Sequence, residues 1–136
     1  MDIIVPFSIR KRELSGTVSD EAKKIFAKIK ERPELAIGIA AKGLPDRTTL
    51  HKVYATTPDG ARRLLFFCRH MPPRLAGSPQ VAERWVLVFY RGKGDPVGDN
   101  MSHKNSAFES QLERNMTQAL SDLSASTPER HLYEIF

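Results

Sequence analysis

Two short apolar segments decide the fold: ARRLLFFCRH at residues 61–70 and RWVLVFYRGK at residues 84–93. Each is shorter than a typical buried helix, is rich in branched and aromatic residues, and is bounded by glycine or proline. They therefore predict two central strands of one sheet. Each segment also begins and ends with cationic side chains, so the rim of the predicted sheet suits a polyanionic ligand.

The length and the charge of the chain set the class of protein. Its 136 residues fit one domain, which we expect to span residues 1–136, and its formal charge is +5. The cationic excess lies in the first two-thirds of the chain, since residues 101–136 hold three Lys or Arg against five Asp or Glu. Such an excess fits either phosphate contacts or an ordinary solvated surface.

Cys68 is the only cysteine, so an intrachain disulfide is excluded and a reducing, cytoplasmic location is expected. Cys68 is either a small buried hydrophobe or a reactive thiol. The histidines and the cysteine lack the paired spacing of a zinc site, so we expect no metal and no other cofactor. No signal sequence and no membrane-spanning run is evident, so no membrane partner is expected.

The first third of the chain predicts one strand and two helices. Residues 2–9 predict a short strand, which Pro6 would confine to a sheet edge or a bend. Residues 20–30 show helical periodicity after a capping Ser19. Residues 34–42 are almost wholly small and apolar, and Pro33 before them suits the start of a helix. Together these two segments predict an antiparallel helical pair.

The remaining segments predict strands, a turn and one long helix. Residues 48–56 are β-branched and aromatic, and the sequence TPDG at residues 57–60 predicts a hairpin turn into the first apolar segment. Residues 106–123 predict an amphipathic helix that opens with a capping box. The tail, residues 124–136, is apolar and aromatic and is expected to dock. The fold class is therefore α+β, a small, mainly antiparallel sheet with the N-terminal helical pair and the C-terminal helix packed on one side.

A set of cationic and aromatic side chains lies near the ends of the predicted strands. Metal-independent RNA cleavage needs a base for the 2′-hydroxyl, cations for the charged phosphorane and an acid for the leaving 5′-oxygen. Histidine can move these protons near neutral pH, arginine and lysine can offset charge, and tyrosine can stack an unpaired base. The set comprises Arg62, Arg63, Arg69, Tyr90, Arg91, Lys93, His103, Lys104, His131 and Tyr133.

The order of elements resembles the RelE/ParE/HigB superfamily of toxin–antitoxin toxins, particularly its phage-derived members. The sequence LHKVY at residues 50–54 looks like the family's strand after the helices. The sequence GARRLLFF at residues 60–67 is similar to the strand in which a glycine precedes a basic residue and an apolar run. Residues 85–93 and the helix at 106–123 resemble the last block of the family.

The resemblance implies a RelE-like toxin that cleaves mRNA at the ribosome and is neutralised by a cognate antitoxin protein. It implies phosphate contacts at the strand-end arginines, base stacking on a tyrosine and proton transfer by His131 or His103. The implied catalytic residues are Arg62, Tyr90, Arg91 and His131, and the implied RNA-binding residues are Arg63, Arg69, Lys93, His103, Lys104 and Tyr133.

This chain also departs from the family pattern. It is longer than typical members, with extra residues at 71–83 and 94–105 and in the tail, and a helix precedes the HLY sequence at residues 131–133. Two alternatives stay open: a non-enzymatic, ParE-like inhibitor of DNA gyrase, and a basic nucleic-acid-binding module without cleavage activity. The ribonuclease hypothesis requires the arginines to gather at one rim beside a tyrosine and a histidine, and to be free of ion pairs with neighbouring acids.

Overall fold

A computed structural model describes residues 1–39, 50–70, 84–92 and 106–136. Over these residues it contains six strands in one sheet, in the order β2-β3-β4-β5-β1-β6, with three α-helices. The strands are β1 (Asp2–Pro6), β2 (Ile37–Ile39), β3 (Leu50–Thr56), β4 (Arg62–His70), β5 (Arg84–Gly92) and β6 (Tyr133–Ile135). The helices are α1 (Phe7–Glu13), α2 (Asp20–Glu31) and α3 (Ser106–Ala125).

The sheet is mainly antiparallel, because only the β1–β5 pairing is parallel. Strands β4 and β5 occupy its centre and pair with each other, which confirms the prediction from the two apolar segments. Their interior side chains are almost all buried, from Leu64 to Cys68 and from Trp85 to Tyr90. Such continuous burial requires cover on both faces of the sheet.

The β3–β4 hairpin turns at residues 57–60, as predicted. The Thr57 amide donates to the Ala61 carbonyl at 2.7 Å, and the Gly60 amide donates to the Thr57 carbonyl at 2.9 Å. Gly60 has a φ of +89°, a conformation that a side chain would oppose. The Thr57 hydroxyl also donates to the Asp59 carboxylate. The turn fixes the register in which Thr56 lies opposite Arg62.

Helix α2 forms as the sequence predicts. The Ser19 hydroxyl accepts a hydrogen bond from the Ala22 amide at 3.2 Å, and two acidic residues occupy the first turn, where they complement the helix dipole. The buried face consists of Ala22, Ile25, Phe26 and Ile29, which recur at helical spacing. Full burial of such a face stabilises the fold by roughly 1.5 to 3 kcal/mol for each large side chain.

The prediction of a second helix after Pro33 is wrong over the described residues. Pro33–Leu35 forms a single 3-10 turn, and Ile37–Ile39 forms the edge strand β2. Ile37 lies opposite Lys52 and Ile39 opposite Leu50, so β3 supplies the backbone partners that a helix would have supplied internally. Two isoleucines around a glycine favour this extended form over a helix. Residues 40–42 of the predicted helix lie outside the described part of the chain.

Helices cover both faces of the sheet, so the prediction that they pack on one side is also wrong. Phe66 and Phe67 are consecutive in β4 and therefore point to opposite faces. The ring of Phe67 contacts Phe26 of α2 at 6.4 Å between centroids, and the ring of Phe66 contacts Phe108 of α3 at 5.4 Å. We call these two sides the α2 face and the α3 face.

Strand β1 lies inside the sheet, so of the two positions that Pro6 allowed, a sheet edge or a bend, the structure contains the bend. It pairs with β5 on one side and with β6 on the other. Pro6 is the last residue of the strand, where its missing amide is not needed, and α1 begins at the next residue. The amide and the hydroxyl of Ser8 both donate to the Asp122 carboxylate, at 2.8 and 2.7 Å, which ties the start of α1 to α3.

The C-terminal tail docks, as its apolar composition predicts. Strand β6 is antiparallel to β1, with Ile135 opposite Ile4, and the Phe136 amide donates to the Ile3 carbonyl at 2.7 Å. The Phe136 ring contacts Phe26 at 5.6 Å between centroids. The tail thus supplies both a strand and a core contact on the α2 face.

This docking predicts that Phe136→Ala lowers the free energy of unfolding by about 2 kcal/mol, because a partly buried aromatic ring is lost from the core. Ile135→Ala is the matched control: Ile135 is 54% exposed, so its change stays within about 0.5 kcal/mol. Urea unfolding followed by circular dichroism measures both. Equal effects of the two substitutions would contradict the docked position of Phe136.

Candidate nucleic-acid interface

Four of the predicted site residues meet at one rim of the sheet. In the β4–β5 pairing Leu64 lies opposite Arg91 and Leu65 opposite Tyr90. Arg62 and Arg63 begin β4 at the same level. The antiparallel register therefore brings the start of β4 to the end of β5, as the hypothesis requires.

Strand geometry divides these four residues between the two faces. Consecutive residues alternate, so Arg63 and Tyr90 point to the α2 face, where both contact α2. Arg62 and Arg91 point to the α3 face, and Arg91 contacts α1 there. The rim therefore holds two separate clusters instead of one pocket.

On the α2 face, Glu21 binds both predicted site residues. Its Oε1 accepts hydrogen bonds from the Tyr90 hydroxyl and from Arg63 Nε, each at 2.7 Å. Partial burial opposes ionisation of Glu21, but these two hydrogen bonds outweigh it and lower the pKa of the carboxyl. Burial and the hydrogen bond to Glu21 raise the pKa of the Tyr90 phenol above its usual value. The carboxylate stays ionised and the phenol stays protonated at neutral pH.

These contacts correct the role predicted for Tyr90. Its side chain is buried, with 8% of the residue exposed, and its hydroxyl is bound to Glu21. A base can stack only on an accessible ring face, so Tyr90 offers no stacking surface. Tyr90 instead anchors the first turn of α2 to β5.

On the α3 face, Glu13 binds Arg91 in two places. Arg91 Nε donates to Oε2 at 2.5 Å, and a terminal nitrogen of the same guanidinium donates to Oε1 at 3.2 Å. The Glu13 side chain is fully buried, whereas that of Arg91 is 26% exposed. Asn115 of α3 donates a further hydrogen bond to Glu13 Oε1 at 2.6 Å. This arrangement joins α1, α3 and β5, and we call it the Glu13 cluster.

Asn115 also hydrogen-bonds to the backbone of a β-bulge in β5. Phe66 lies opposite Phe89 and Phe67 opposite Leu87, which leaves Val88 as the extra residue. The amide nitrogen of Asn115 donates to the Val88 carbonyl at 2.8 Å, and its oxygen accepts from Arg12 at 3.0 Å. A fully buried polar side chain is stable there because both of its ends are bonded.

The requirement of unpaired guanidinium groups fails for Arg63 and Arg91. Each forms a two-point ion pair with a carboxylate of a neighbouring helix. Arg62 differs: its side chain is exposed and forms no ion pair among the described residues. Over the described residues the predicted cationic rim is therefore mostly neutralised, and Arg62 is an accessible cation on the α3 face.

On the α3 face, strand β3 carries exposed side chains. Tyr54 is 60% exposed, and Thr56 is also exposed. Tyr54 lies opposite Leu64 and Thr56 opposite Arg62, so Tyr54 and Arg62 are diagonal neighbours at about 7 Å. Lys52 Nζ lies over the Tyr54 ring, 4.8 Å from its centroid. We call Lys52, Tyr54, Thr56 and Arg62 the open face.

Sequence reasoning missed Tyr54 as a site residue. The sequence predicted only that Tyr54 lies in a β-branched and aromatic strand at residues 48–56. The period-2 pattern was the available signal, since Lys52, Tyr54 and Thr56 alternate with Val53 and Ala55. The alternating side that carries lysine and threonine is the side that faces water.

Arg69, the remaining cation of β4, lies far from this rim. It is opposite Trp85 at the other end of the β4–β5 pairing, seven residues from Arg62. At about 3.4 Å a residue the separation exceeds 20 Å. Arg69 and Arg62 therefore cannot contact the same phosphate.

His131 and Tyr133 lie at the other edge of the sheet, in and just before the edge strand β6. Tyr133 is opposite Pro6, and β1 separates β6 from β5. The lateral distance from β6 to β4 is three strand spacings, about 14 Å. The exposed His131 ring contacts Tyr133, with 6.2 Å between centroids, and is remote from the open face. Lys93, His103 and Lys104 lie outside the described residues.

His51 lies on the α2 face and stacks on Trp85, with 4.6 Å between ring centroids. Burial lowers the pKa of His51, and the positive charge of Arg69 lowers it further. The imidazole is therefore neutral at pH 7. Because its strand position is on the α2 face, it cannot move protons on the open face.

Among the residues that the structure describes, no group of three His, Cys, Asp or Glu side chains could hold a metal ion. The described helices include none that is long and apolar enough to cross a membrane. Comparisons of the chain with protein-family models, with curated proteins and with solved structures found no match. The site is therefore argued from its geometry and chemistry.

The Glu13 cluster predicts that Glu13→Gln lowers the free energy of unfolding by about 2 to 3 kcal/mol, because Arg91 then lacks its countercharge. Glu34→Gln is the matched control. The Arg32–Glu34 pair is exposed on both sides, so its loss costs about 0 to 1 kcal/mol. Urea unfolding at pH 7 measures both variants. A Glu13→Gln protein as stable as the control would contradict a structural role for the cluster.

Cys68 behaves as a buried hydrophobe and not as a reactive thiol. Burial raises its pKa to about 11 from an ordinary value of 9.0. At pH 8 the thiolate fraction is therefore about 100-fold lower than for an unperturbed thiol.

We expect iodoacetamide to label Cys68 in the native protein at least about 100-fold more slowly than in the urea-unfolded protein, measured by mass spectrometry. Equal labelling rates would show an accessible, activated thiol.

Proposed function

We propose that the protein is the toxin of a toxin–antitoxin pair and acts as a metal-independent endoribonuclease that cleaves mRNA at the ribosome. One observation carries this proposal: the exposed ring of Tyr54 lies on an open sheet face between two cations, Lys52 and Arg62. An accessible aromatic ring beside lysine and arginine is the arrangement with which proteins bind single-stranded RNA.

The open face supports a division of roles that differs from the one implied by sequence. Tyr54 takes the stacking role in place of Tyr90, because its ring is accessible. Arg62 and Lys52 contact the phosphates on either side of the stacked base. Arg91 is paired with Glu13 and holds the end of β5 in place, so the phosphate contacts fall to Arg62 and Lys52.

The proposed reaction is transesterification within the RNA. The 2′-oxygen attacks the adjacent phosphorus, its proton passes to a base, and the bond from phosphorus to the 5′-oxygen breaks as that oxygen takes a proton. The products are a 2′,3′-cyclic phosphate and a 5′-hydroxyl end. Arg62 would stabilise the charge that builds on the phosphorane. His103 remains the sequence's candidate for proton transfer, and the ribosome would supply much of the positioning.

The test is induction of the protein in bacteria with mapping of RNA ends, followed by cleavage assays on purified ribosomes. We expect Tyr54→Ala and Arg62→Ala each to lower cleavage by about tenfold or more, since loss of one stacked base or one phosphate contact costs about 1 to 3 kcal/mol. Tyr54→Phe should retain cleavage, because the ring still stacks.

Arg114→Ala is the matched control, since Arg114 is an exposed arginine of α3 that donates a hydrogen bond to Gln111 of its own helix. It should leave cleavage unchanged. Wild-type protein that produces no RNA breaks in cells or on ribosomes would refute the nuclease. Changes in DNA supercoiling without breaks would favour the gyrase alternative, and salt-dependent RNA binding without breaks would favour the binding module.

Non-enzymatic binding of a protein partner is the second candidate function. A specific observation favours it: an apolar groove lies between α2 and β3 and is lined by both elements. Under this alternative, alanine at Arg62 leaves toxicity unchanged, whereas substitutions in the groove abolish it.

A further inference from the structure

A small apolar pocket opens between the C-terminal half of α2 and the end of β3, and we call it the α2–β3 groove. Its volume is about 170 Å³. The apolar residues that line it are Ile25, Ile29, Leu35, Ala36, Val53 and Ala55. Ile25, Ile29 and Val53 are almost fully buried and form its base, whereas Leu35 is 56% exposed and lies at its mouth. A ligand in the groove would therefore meet a wholly aliphatic interior.

The groove follows from the path of the chain between α2 and the sheet. Residues 33–35 form a 3-10 turn instead of extending β2, so strand pairing with β2 covers residues 50–52 of β3 only. Val53 lies opposite Leu65 and Ala55 opposite Arg63, which puts both side chains on the α2 face. They face the last turns of α2 across a space that the 3-10 turn borders but does not fill. The backbone geometry therefore preforms the groove.

Two exposed cations of the same helix region, Lys28 and Arg32, also line the groove. Arg32 shares its charge with Glu34, at 3.4 Å between Nε and Oε1. Lys28 forms no ion pair among the described residues, and none of the described residues that line the groove is acidic. An aliphatic interior with an unneutralised lysine at its mouth complements a ligand that is apolar at one end and anionic at the other.

We infer that the α2–β3 groove binds a small amphiphilic carboxylate, whose body is one aromatic ring or one branched aliphatic group. The body would fill the space against Ile29 and Val53, and the carboxylate would accept a hydrogen bond from Lys28 Nζ at the mouth. Both ends of the ligand approach from the α2 side, where all of these side chains lie. The binding is independent of RNA cleavage, because Tyr54 and Arg62 point to the α3 face.

The size of the groove favours a small ligand. An apolar cavity of about 150 Å³ in another protein binds benzene, so a groove of this volume holds about one ring. A stable protein interface buries about 800 Å² on each partner, and a protein would gain only one apolar contact here.

The chemistry of the groove selects among small ligands. A nucleobase would bury its polar edges against aliphatic side chains without hydrogen-bond partners at the base of the groove. A cationic ligand would be repelled by Lys28 and Arg32 at the mouth. A carboxylate with a hydrocarbon body meets neither obstacle.

The test uses 3-phenylpropionate as the probe and the full chain labelled at its isoleucine and leucine methyl groups. Titration followed by NMR gives the Kd, which we expect to be on the order of millimolar or tighter for a ligand of this size. The methyl groups of Ile25, Ile29 and Leu35 should shift, whereas those of Ile4, buried in β1, should not. 3-Phenylpropylamine has the same ring and the opposite charge, and it should bind at least about tenfold more weakly.

Two substitutions separate the contribution of the charge from that of the apolar body. Lys28→Gln should weaken 3-phenylpropionate binding by about fivefold or more and leave binding of the uncharged 3-phenylpropanol unchanged. Lys24→Gln is the matched control, since Lys24 is exposed one turn earlier on α2 and does not line the groove. It should weaken binding by less than about twofold. Ala55→Leu should abolish binding of both ligands, because it adds side-chain volume inside the groove, and circular dichroism checks that this variant folds.

Absence of methyl shifts with 3-phenylpropionate would overturn the inference and would favour the protein partner of the second candidate function. Equal binding of 3-phenylpropylamine, or equal losses in Lys28→Gln and Lys24→Gln, would also overturn it. So would two further results. Uridine 5′-monophosphate that binds as tightly as 3-phenylpropionate would assign the groove to a nucleotide. Shifts of the same methyl groups on dilution of the protein alone would assign it to a second copy of this chain.

Discussion

The fold depends on carboxylates that two helices present to arginines of the central sheet. Glu13 at the end of α1 takes the guanidinium of Arg91 on one face, and Glu21 at the start of α2 takes that of Arg63 on the other. The first of these pairs is the more demanding, because a fully buried carboxylate is stable only with its countercharge and its hydrogen bonds in place. Asn115 donates a further hydrogen bond to the Glu13 carboxylate and so holds α3 against the Glu13–Arg91 pair.

These pairs also determine which part of the sheet can serve a ligand. The Glu13 cluster holds α1 and α3 over β1 and β5, where Phe89 and Phe108 make an edge-to-face contact. Strand β3 lies two positions from β5 in the sheet, so its α3 face remains accessible. The cations that sequence places at the rim thus stabilise the scaffold, and the accessible surface lies one strand further out, at Tyr54 and Arg62.

Local signals in the sequence predicted much of the fold. The turn at residues 57–60, the Ser19 cap and the apolar stripe of α3 each act within a few residues, and the structure contains all three elements. Strand β2 was not predictable in this way, because its extended form depends on pairing with β3 across the intervening chain. The interior position of β1 depends on β6, more than a hundred residues later.

The candidate site was predictable only in part, for the same physical reason. The two apolar segments predicted two central strands, and the antiparallel register of those strands brings four predicted site residues to one rim. Sequence could not show that Glu13 and Glu21 would neutralise Arg91 and Arg63, because both acids belong to helices whose packing is a tertiary property. The period-2 pattern of β3 did contain the signal for Tyr54.

The pairing of Ile4 with Ile135 has a consequence for biosynthesis. Strand β1 is synthesised before both of its neighbours, and it gains them only when β5 and then β6, more than a hundred residues later, have been made. A topology of such distant contacts folds slowly and makes the nascent chain a substrate for chaperones in the meantime. The sheet is therefore complete only after β6 has been synthesised, and a chain that stops before β6 would leave one edge of β1 unpaired.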